Sequence, residues 1–378
     1  MSLPEAFAKI PRHPLLYPHP SPIHALPTLT HHLRPKRLTL YAKREDQASP
    51  LACSGNKYRK LEYIIPDILP DVSGKASARP TVLVTEGAVQ SNHTVQVASV
   101  AQRLGLQALV VLHKATGGGL SSSGDKDAYM RVGNVQVARL LGARVRMLEN
   151  TSTVGEGDPI TPILEELRAR GEVPYWIPSG ASLHPLGGLG YARCAFEIAA
   201  QEKEVLSGGR FDYVFVACGS GSTHAGLVAG FKLLEKMEKL DEAGGMPRRV
   251  IGVMTSPTMP RAYHEERVLR FARRAASLIG LDAEDVTPDD VRLEDRFAGS
   301  AYGVLDPELK ETLAQTAQLE GVILDPVYTA KVMRGLMHWA QEGDWAQGQS
   351  PSSANVLFIH TGGQSALSAY AENLEDVK

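Results

Sequence analysis

Phe211-Asp212-Tyr213-Val214-Phe215-Val216-Ala217-Cys218-Gly219-Ser220-Gly221-Ser222-Thr223-His224-Ala225-Gly226 is the stretch from which the fold is read. Tyr213 to Ala217 is a short, unbroken apolar run that ends in glycine and serine, the pattern of a strand buried on both faces. Ser222 to Lys239 then carries a helical pattern. The small residues between them let backbone N–H groups approach an anion, and the hydroxyls of Ser220, Ser222 and Thr223 add donors. The loop is not a dinucleotide fingerprint, because His224 stands where the third glycine belongs. It is not a Walker A loop either, because it lacks Gly-Lys-Ser/Thr. Two readings remain: a monophosphate site, or a tight strand–helix turn with Ser222 as its N-cap.

The same strand-then-helix unit recurs along the chain. Other strand candidates are Leu38–Tyr41, Thr81–Val84, Ala108–Leu112, Val250–Met254 and Asn355–Ile359. Helical patterns cover 91–104, 125–141, 222–239 and 330–341. Repeated βα units predict an α/β fold with helices on both faces of a mostly parallel sheet. Polar, Gly/Ser/Pro-rich stretches at 70–79, 116–126, 241–248 and 342–353 are read as loops, with 116–126 a mobile loop near an active site. There is no internal repeat and no coiled-coil heptad.

Composition narrows the function. The chain has 378 residues, enough for about two domains. A formal net charge of -2 gives no reason to expect nucleic acid or an anionic membrane as partner. No apolar run approaches the roughly 20 residues of a membrane span. Met1-Ser2-Leu3-Pro4-Glu5 lacks the basic and apolar regions of a secretory signal. Cys53, Cys194 and Cys218 are too scattered for a disulfide framework or a CxxC metal site, so no metal and a cytoplasmic location are expected.

Four further segments can carry chemistry. Lys57 follows Gly55-Asn56 and opens an amphipathic helix. The positive end of the helix dipole favours its neutral amine, the form that attacks an aldehyde. A solvated surface lysine is the alternative. Lys60, one turn on, can face an anion in the same place. Gln90-Ser91-Asn92-His93 follows a strand end, where α/β proteins bind ligands, although simple capping by Ser91 explains it as well. Asp325-Pro326-Val327-Tyr328-Thr329 and His360-Thr361-Gly362-Gly363 complete the set. Asp325 is read as a helix cap, and His184, His338 and His360 as structural or surface histidines.

Taken together and in this order, the chain resembles the family of 1-aminocyclopropane-1-carboxylate (ACC) deaminase and D-cysteine desulfhydrase, a branch of the tryptophan synthase β-like enzymes. The likeness runs from about residue 12 to 370. It rests on Lys43-Arg44-Glu45-Asp46, Gly55-Asn56-Lys57, Arg59-Lys60-Leu61-Glu62-Tyr63, Gln90-Ser91-Asn92 and Arg131-Val132-Gly133-Asn134. It rests also on His184-Pro185-Leu186-Gly187-Gly188-Leu189-Gly190, Gly221-Ser222-Thr223, Asp325-Pro326-Val327-Tyr328 and Gly362-Gly363. The resemblance implies two open, twisted, mostly parallel sheets flanked by helices, with the active site in the cleft between domains. The larger domain would comprise 1–65 and 186–378, and the smaller 66–185. It implies pyridoxal 5'-phosphate as cofactor, a small amino-acid substrate and a homodimer.

Residue roles carry over by position. Lys57 would form the Schiff base and act as the base. Lys60 and the loop Ser220, Gly221, Ser222 and Thr223 would hold the phosphate. Asn92 would contact the ring hydroxyl, and Tyr328 would stack on the ring. Ser91 would bind the substrate carboxylate or assist proton transfer, with Asn92, His93 and Thr361 near the substrate and Tyr302 facing it. Thr329 would stand beside the ring nitrogen. The resembling ACC deaminases carry Glu at the position of Thr329, Leu at that of Thr361 and Trp at that of Ala115, whereas D-cysteine desulfhydrases carry small hydroxyl residues at the first two. A carboxylate keeps the ring nitrogen protonated and the cofactor a strong electron sink. Opening a cyclopropane needs that sink more than expelling thiolate does. The expectation is therefore D-cysteine to pyruvate, sulfide and ammonia, with ACC deamination as the alternative. Departures at His93, Ala115 and His224 allow a third amino-acid substrate. A cofactor-binding protein without turnover is the non-enzyme reading, disfavoured by Lys57. A nicotinamide-dependent dehydrogenase is disfavoured by the missing GxGxxG.

Overall fold

The computed structural model describes residues 2–33, 38–69, 78–113, 133–148, 159–207, 209–239, 246–343, 345 and 354–374. Among the described residues ten strands form two sheets. They are β1 (Ile23–Ala25), β2 (Leu38–Arg44), β3 (Val82–Ala88), β4 (Gln107–His113), β5 (Arg144–Leu148), β6 (Pro174–Ile177), β7 (Tyr213–Cys218), β8 (Arg249–Met254), β9 (Arg292–Glu294) and β10 (Ala354–His360). The six-stranded sheet runs β1-β2-β10-β7-β8-β9 and the four-stranded sheet β5-β4-β3-β6. Every pairing is parallel except β1 with β2. This is the α/β architecture with two mostly parallel sheets that the βα repetition predicts.

Strand alternation distributes the core. Val214, Val216 and Cys218 of β7 pack against the helices Leu189–Val205, Ser222–Met237 and Arg261–Ile279. Tyr213 and Phe215 of the same strand turn to the opposite face, where Pro27–Leu33, Pro307–Glu320 and Thr329–Glu342 lie. The smaller sheet repeats the arrangement. Leu83, Ala108, Val110 and Leu112 meet the helices Lys57–Ile68, Asn92–Arg103 and Gly133–Leu140, while Val82, Val84, Leu109 and Val111 meet Thr161–Ala169. Both faces of each sheet are covered, as the near-continuous apolar strands require.

The six strands read from sequence are all present; five are extended by one to three residues, and the one read as 81–84 starts one residue later and runs to Ala88. Four were not legible. β1 and β9 have three residues each, β6 has four, and β5 is only partly buried along its length. None carries a long apolar run. The expected loop at 116–126, Ala115, and Arg131-Val132 lie outside the described residues, as do most of 70–79, 241–248 and 342–353. Among the described residues no helix is long and apolar enough to cross a membrane.

Beneath the Lys57 helix sits a network of charges. Arg59 donates to Glu45 at 2.5 and 2.9 Å and to Glu197 at 2.7 and 3.0 Å. Lys43 donates to Glu197 at 2.5 Å and to Gln201 at 2.8 Å. Burial pushes the Glu45 carboxyl up, but Arg59 and Lys43 overcome it and hold it below the usual range. The motif residues Lys43, Glu45 and Arg59 thus anchor the Lys57 helix to the helix Leu189–Val205.

Candidate active site

The candidate residues converge at the carboxyl ends of the strands, where open α/β sheets place their ligands. Lys57 is the first residue of its helix. Its N–H and that of Tyr58 donate to Gln96 Oε1 at 3.0 and 3.2 Å, so a side chain from the neighbouring helix satisfies two otherwise orphan donors. The loop before it is pinned by Asn56 N–H donating to the Thr361 carbonyl at 3.1 Å. A Cβ at Gly55 would come within 2.7 Å of that carbonyl, so only glycine fits. Lys57 Nζ donates to Asn56 Oδ1 at 2.7 Å. Burial lowers its pKa to about 8, with Asp325 pulling the other way.

Lys60 is fully buried. Its ammonium donates to Ser222 Oγ at 2.8 Å and the Gly180 carbonyl at 3.0 Å. Burial, then the nearby Lys57, holds its pKa well below the lysine norm. Ser182 donates to Ser220 Oγ at 2.6 Å and lies 2.8 Å from Ser222 Oγ, while Asn56 Nδ2 donates to Thr223 Oγ1 at 3.0 Å. Gly221, not Ser222, is the N-cap of the helix Ser222–Met237, in a left-handed conformation (φ 100°) that suits glycine. The hydroxyls therefore stand free of capping duty. Gly180 also has positive φ (63°), and a Cβ there would collide with Ser220 Oγ. A buried lysine, three serines and a threonine at one helix N-terminus match the donor chemistry of a phosphate monoester, whose own charge would favour the protonated lysine.

The other wall comes from four segments. Ser91 occupies the N-cap position of Asn92–Arg103, but its hydroxyl makes no capping bond. Asn92 Oδ1 accepts from Asn134 Nδ2 at 3.0 Å, and its Nδ2 faces Gly363, where a Cβ would intrude to 2.7 Å. Tyr328 and Tyr302 share a hydrogen bond between their hydroxyls, with rings edge-to-face at 5.9 Å. Burial raises both phenols. Gly219 leaves open the space before Tyr328, since a Cβ would sit 3.8 Å from its ring. Amine, phosphate cradle, amide and aromatic ring are the parts that a lysine-bound pyridoxal phosphate requires, and Gly363 lets its loop pack close against Asn92 and Asp325.

Asp325 caps as expected, accepting from the N–H groups of Val327, Tyr328 and Thr329 at 2.9 Å. Thr329 also gives its hydroxyl to Asp325 Oδ1 at 2.7 Å. Thr361 is buried and meets the Lys57 loop through its main chain. His93 is buried close to Lys57 and Lys60, whose charges together with burial keep it neutral. Its ring nitrogens approach the backbone at Ile177 and Pro178 without closing a well-aligned bond. His224 does not reach the site. It packs against Gly252 of β8, where a Cβ would strike its Nδ1, so its departure from the family pattern concerns helix–sheet packing. Sequence reasoning missed Gly180 and Ser182, because β6 before them is too short to read, and Gln96, which sits mid-helix with no motif of its own.

Comparison with known proteins gives a consistent result. Residues 15–362 match the family model described as pyridoxal-phosphate dependent enzyme. The chain is 41% identical over 368 residues to the 1-aminocyclopropane-1-carboxylate deaminase of Burkholderia multivorans, covering 97% of this chain and 98% of that protein. It is 40% identical over 362 residues to the deaminase of the same name from Bradyrhizobium diazoefficiens, covering 96% and 97%. A crystal structure described as an ACC deaminase homologue superposes with a TM-score of 0.78 at 31% identity, covering 99% of this chain and 98% of that one.

Proposed function

The chain belongs to the pyridoxal-phosphate dependent enzymes, and on that premise we propose that it releases ammonia from a small amino acid through proton transfer at Lys57. One observation carries this reading: Lys57 stands beside a phosphate-type cradle, with its pKa lowered to about 8 by burial. About a tenth of such an amine is neutral at pH 7, several hundred times more than for an ordinary lysine. When bound, the cofactor supplies a conjugated, electron-withdrawing ring that stabilises negative charge developing on the substrate carbon.

The chain's own residues supply the rest. Lys60, Ser220, Gly221, Ser222 and Thr223 would hold the phosphate. Asn92 would serve the ring hydroxyl, and Tyr328 would pack against the ring. Ser91 receives the substrate carboxylate. Lys57 Nζ takes and returns the proton, and Tyr302, through its hydroxyl bond to Tyr328, stands on the substrate side.

The substrate has two readings. The names of the near-full-length relatives support ACC, and that reading has the wider backing. ACC has no hydrogen on its α-carbon, so Lys57 would then work at a ring methylene. D-cysteine is favoured by a specific observation. No carboxylate side chain stands at 329, and the Thr329 hydroxyl is already committed to Asp325. Such a site supports a weaker electron sink, adequate for expelling thiolate after Lys57 removes the α-proton. This also revises the expected role of Thr329, which points its hydroxyl to the helix cap. The test is to supply ACC and D-cysteine separately to the holoenzyme and measure 2-oxobutyrate and sulfide. Release of neither would overturn the deaminase proposal.

The proposal includes two domains, 1–65 with 186–378 and 66–185, meeting at this site. The helix Lys57–Ile68 crosses that boundary, and its apolar face packs in the core of the smaller sheet. Assembly as a cytoplasmic homodimer belongs to the same proposal.

A further inference from the structure

A second cation stands behind the loop that carries Ser220. Arg267, on the helix Arg261–Ile279, donates through Nη2 to the Gly219 carbonyl at 2.7 Å. The same nitrogen lies 2.8 Å from His264 Nδ1, and the guanidinium rests 5.5 Å over the Tyr263 ring. Arg267 Nε and His264 Nε2 are both buried without a hydrogen-bond partner among the described residues. His264 itself is buried, and burial followed by the Arg267 charge keeps it neutral. Arg267 forms no ion pair with a carboxylate among the described residues, although its neighbours Arg261 and Arg273 both do. A half-buried guanidinium without a counter-charge is costly unless an anion lies within reach.

The geometry gives that charge a direction of action. In a trans peptide the carbonyl and the following N–H point opposite ways. Arg267 holds the Gly219 oxygen, so the Ser220 N–H is turned away from Arg267. Lys60 approaches the loop through Ser222, and Ser182 ties Ser222 to Ser220. Lys60 and Arg267 thus each meet the loop through a different residue, Ser222 for Lys60 and Gly219 for Arg267. A cation on a carbonyl also polarises its peptide and makes the N–H a stronger donor.

We propose that Arg267 is a positioning residue for the cofactor phosphate, acting through the Gly219–Ser220 peptide and adding a second positive charge beside the loop. The inference deepens the site reading above and depends on the phosphate lying at Ser220 to Thr223. The test compares binding of pyridoxal phosphate with that of unphosphorylated pyridoxal to the apoprotein, for wild type, Arg267→Gln, Arg267→Lys and Lys60→Met. Arg267→Gln should lower the preference for the phosphorylated form about tenfold, the loss expected for one charge-assisted hydrogen bond. Its pyridoxal affinity and apoprotein melting temperature should stay at the wild-type values, and Arg267→Lys should recover part of the preference. Unchanged preference in Arg267→Gln beside a reduced one in Lys60→Met would overturn the role of Arg267 alone. Equal weakening of both ligands would reduce Arg267 to a packing residue and also overturn the inference. Unchanged preference in both variants would show that the phosphate lies elsewhere, and the site reading would fall with it.

Discussion

Thr329 gives its hydroxyl to the Asp325 carboxylate at 2.7 Å, across one turn that carries Tyr328 between them. Asp325 is fully buried, and burial raises its pKa even though four donors from this turn oppose the rise. Thr329→Val keeps the shape and removes one donor. The account expects a loss of about 1–3 kcal/mol in unfolding free energy, the cost of leaving a buried acceptor short of a partner. Urea denaturation of the apoprotein measures it.

Lys57 sets a pH dependence for cofactor uptake. A protonated amine cannot attack an aldehyde, and burial brings this amine's pKa down to about 8. The rate at which apoprotein combines with pyridoxal phosphate should therefore rise with pH and level off above about 8. An ordinary lysine would keep rising to about 10.4. Stopped-flow absorbance follows the rate directly.

On the proposed function, positions 329 and 361 are the ones expected to set the substrate. The paired change Thr329→Glu with Thr361→Leu restores the side chains that ACC deaminases of this family carry. It should move the ratio of ACC to D-cysteine turnover upward by at least about tenfold, since one altered polar contact in a site is worth that much or more. An unchanged ratio would remove the argument that favours D-cysteine.

Arg59 is a structural prediction of a different kind. It bridges Glu45 and Glu197 in a nearly water-free setting. Arg59→Met strands Glu45 and should cost about 3–5 kcal/mol, as for other broken buried pairs. The sign with pH follows from the depressed carboxyl: the Glu45 contribution is present above the unfolded-state pKa and fades as pH falls through the folded value. The stability difference between wild type and variant should therefore shrink in acid.

The long apolar strands were legible because β7, β8 and β10 are buried on both faces and read as unbroken apolar runs. β9 and β5 were not, because one is a three-residue edge and the other is half-solvated. Lys57, Lys60 and the 220–223 loop were readable as residue types suited to an anion and an aldehyde. Ser182, Gln96 and Arg267 were not, because each acts by reaching another segment. The spatial pairing of Ser182 with Ser220, or of Arg267 with Gly219, leaves no local pattern in the sequence. The same holds for the Thr329 hydroxyl, whose direction depends on a helix cap rather than on its place in a motif.

Lys57, which is only half-buried, is proposed to carry the cofactor in preference to the buried lysines Lys60 and Lys331 near it. Lys331 is spent on the carbonyls of Ala298 and Thr255 at 2.6 and 2.9 Å, and Lys60 on Gly180 and Ser222. The most direct measurement is borohydride reduction of the holoenzyme, followed by proteolysis and mass spectrometry of the labelled peptide. One pyridoxyl group per chain, attached at Lys57, is expected. A label on Lys60 or Lys331, or no label at all, would contradict it.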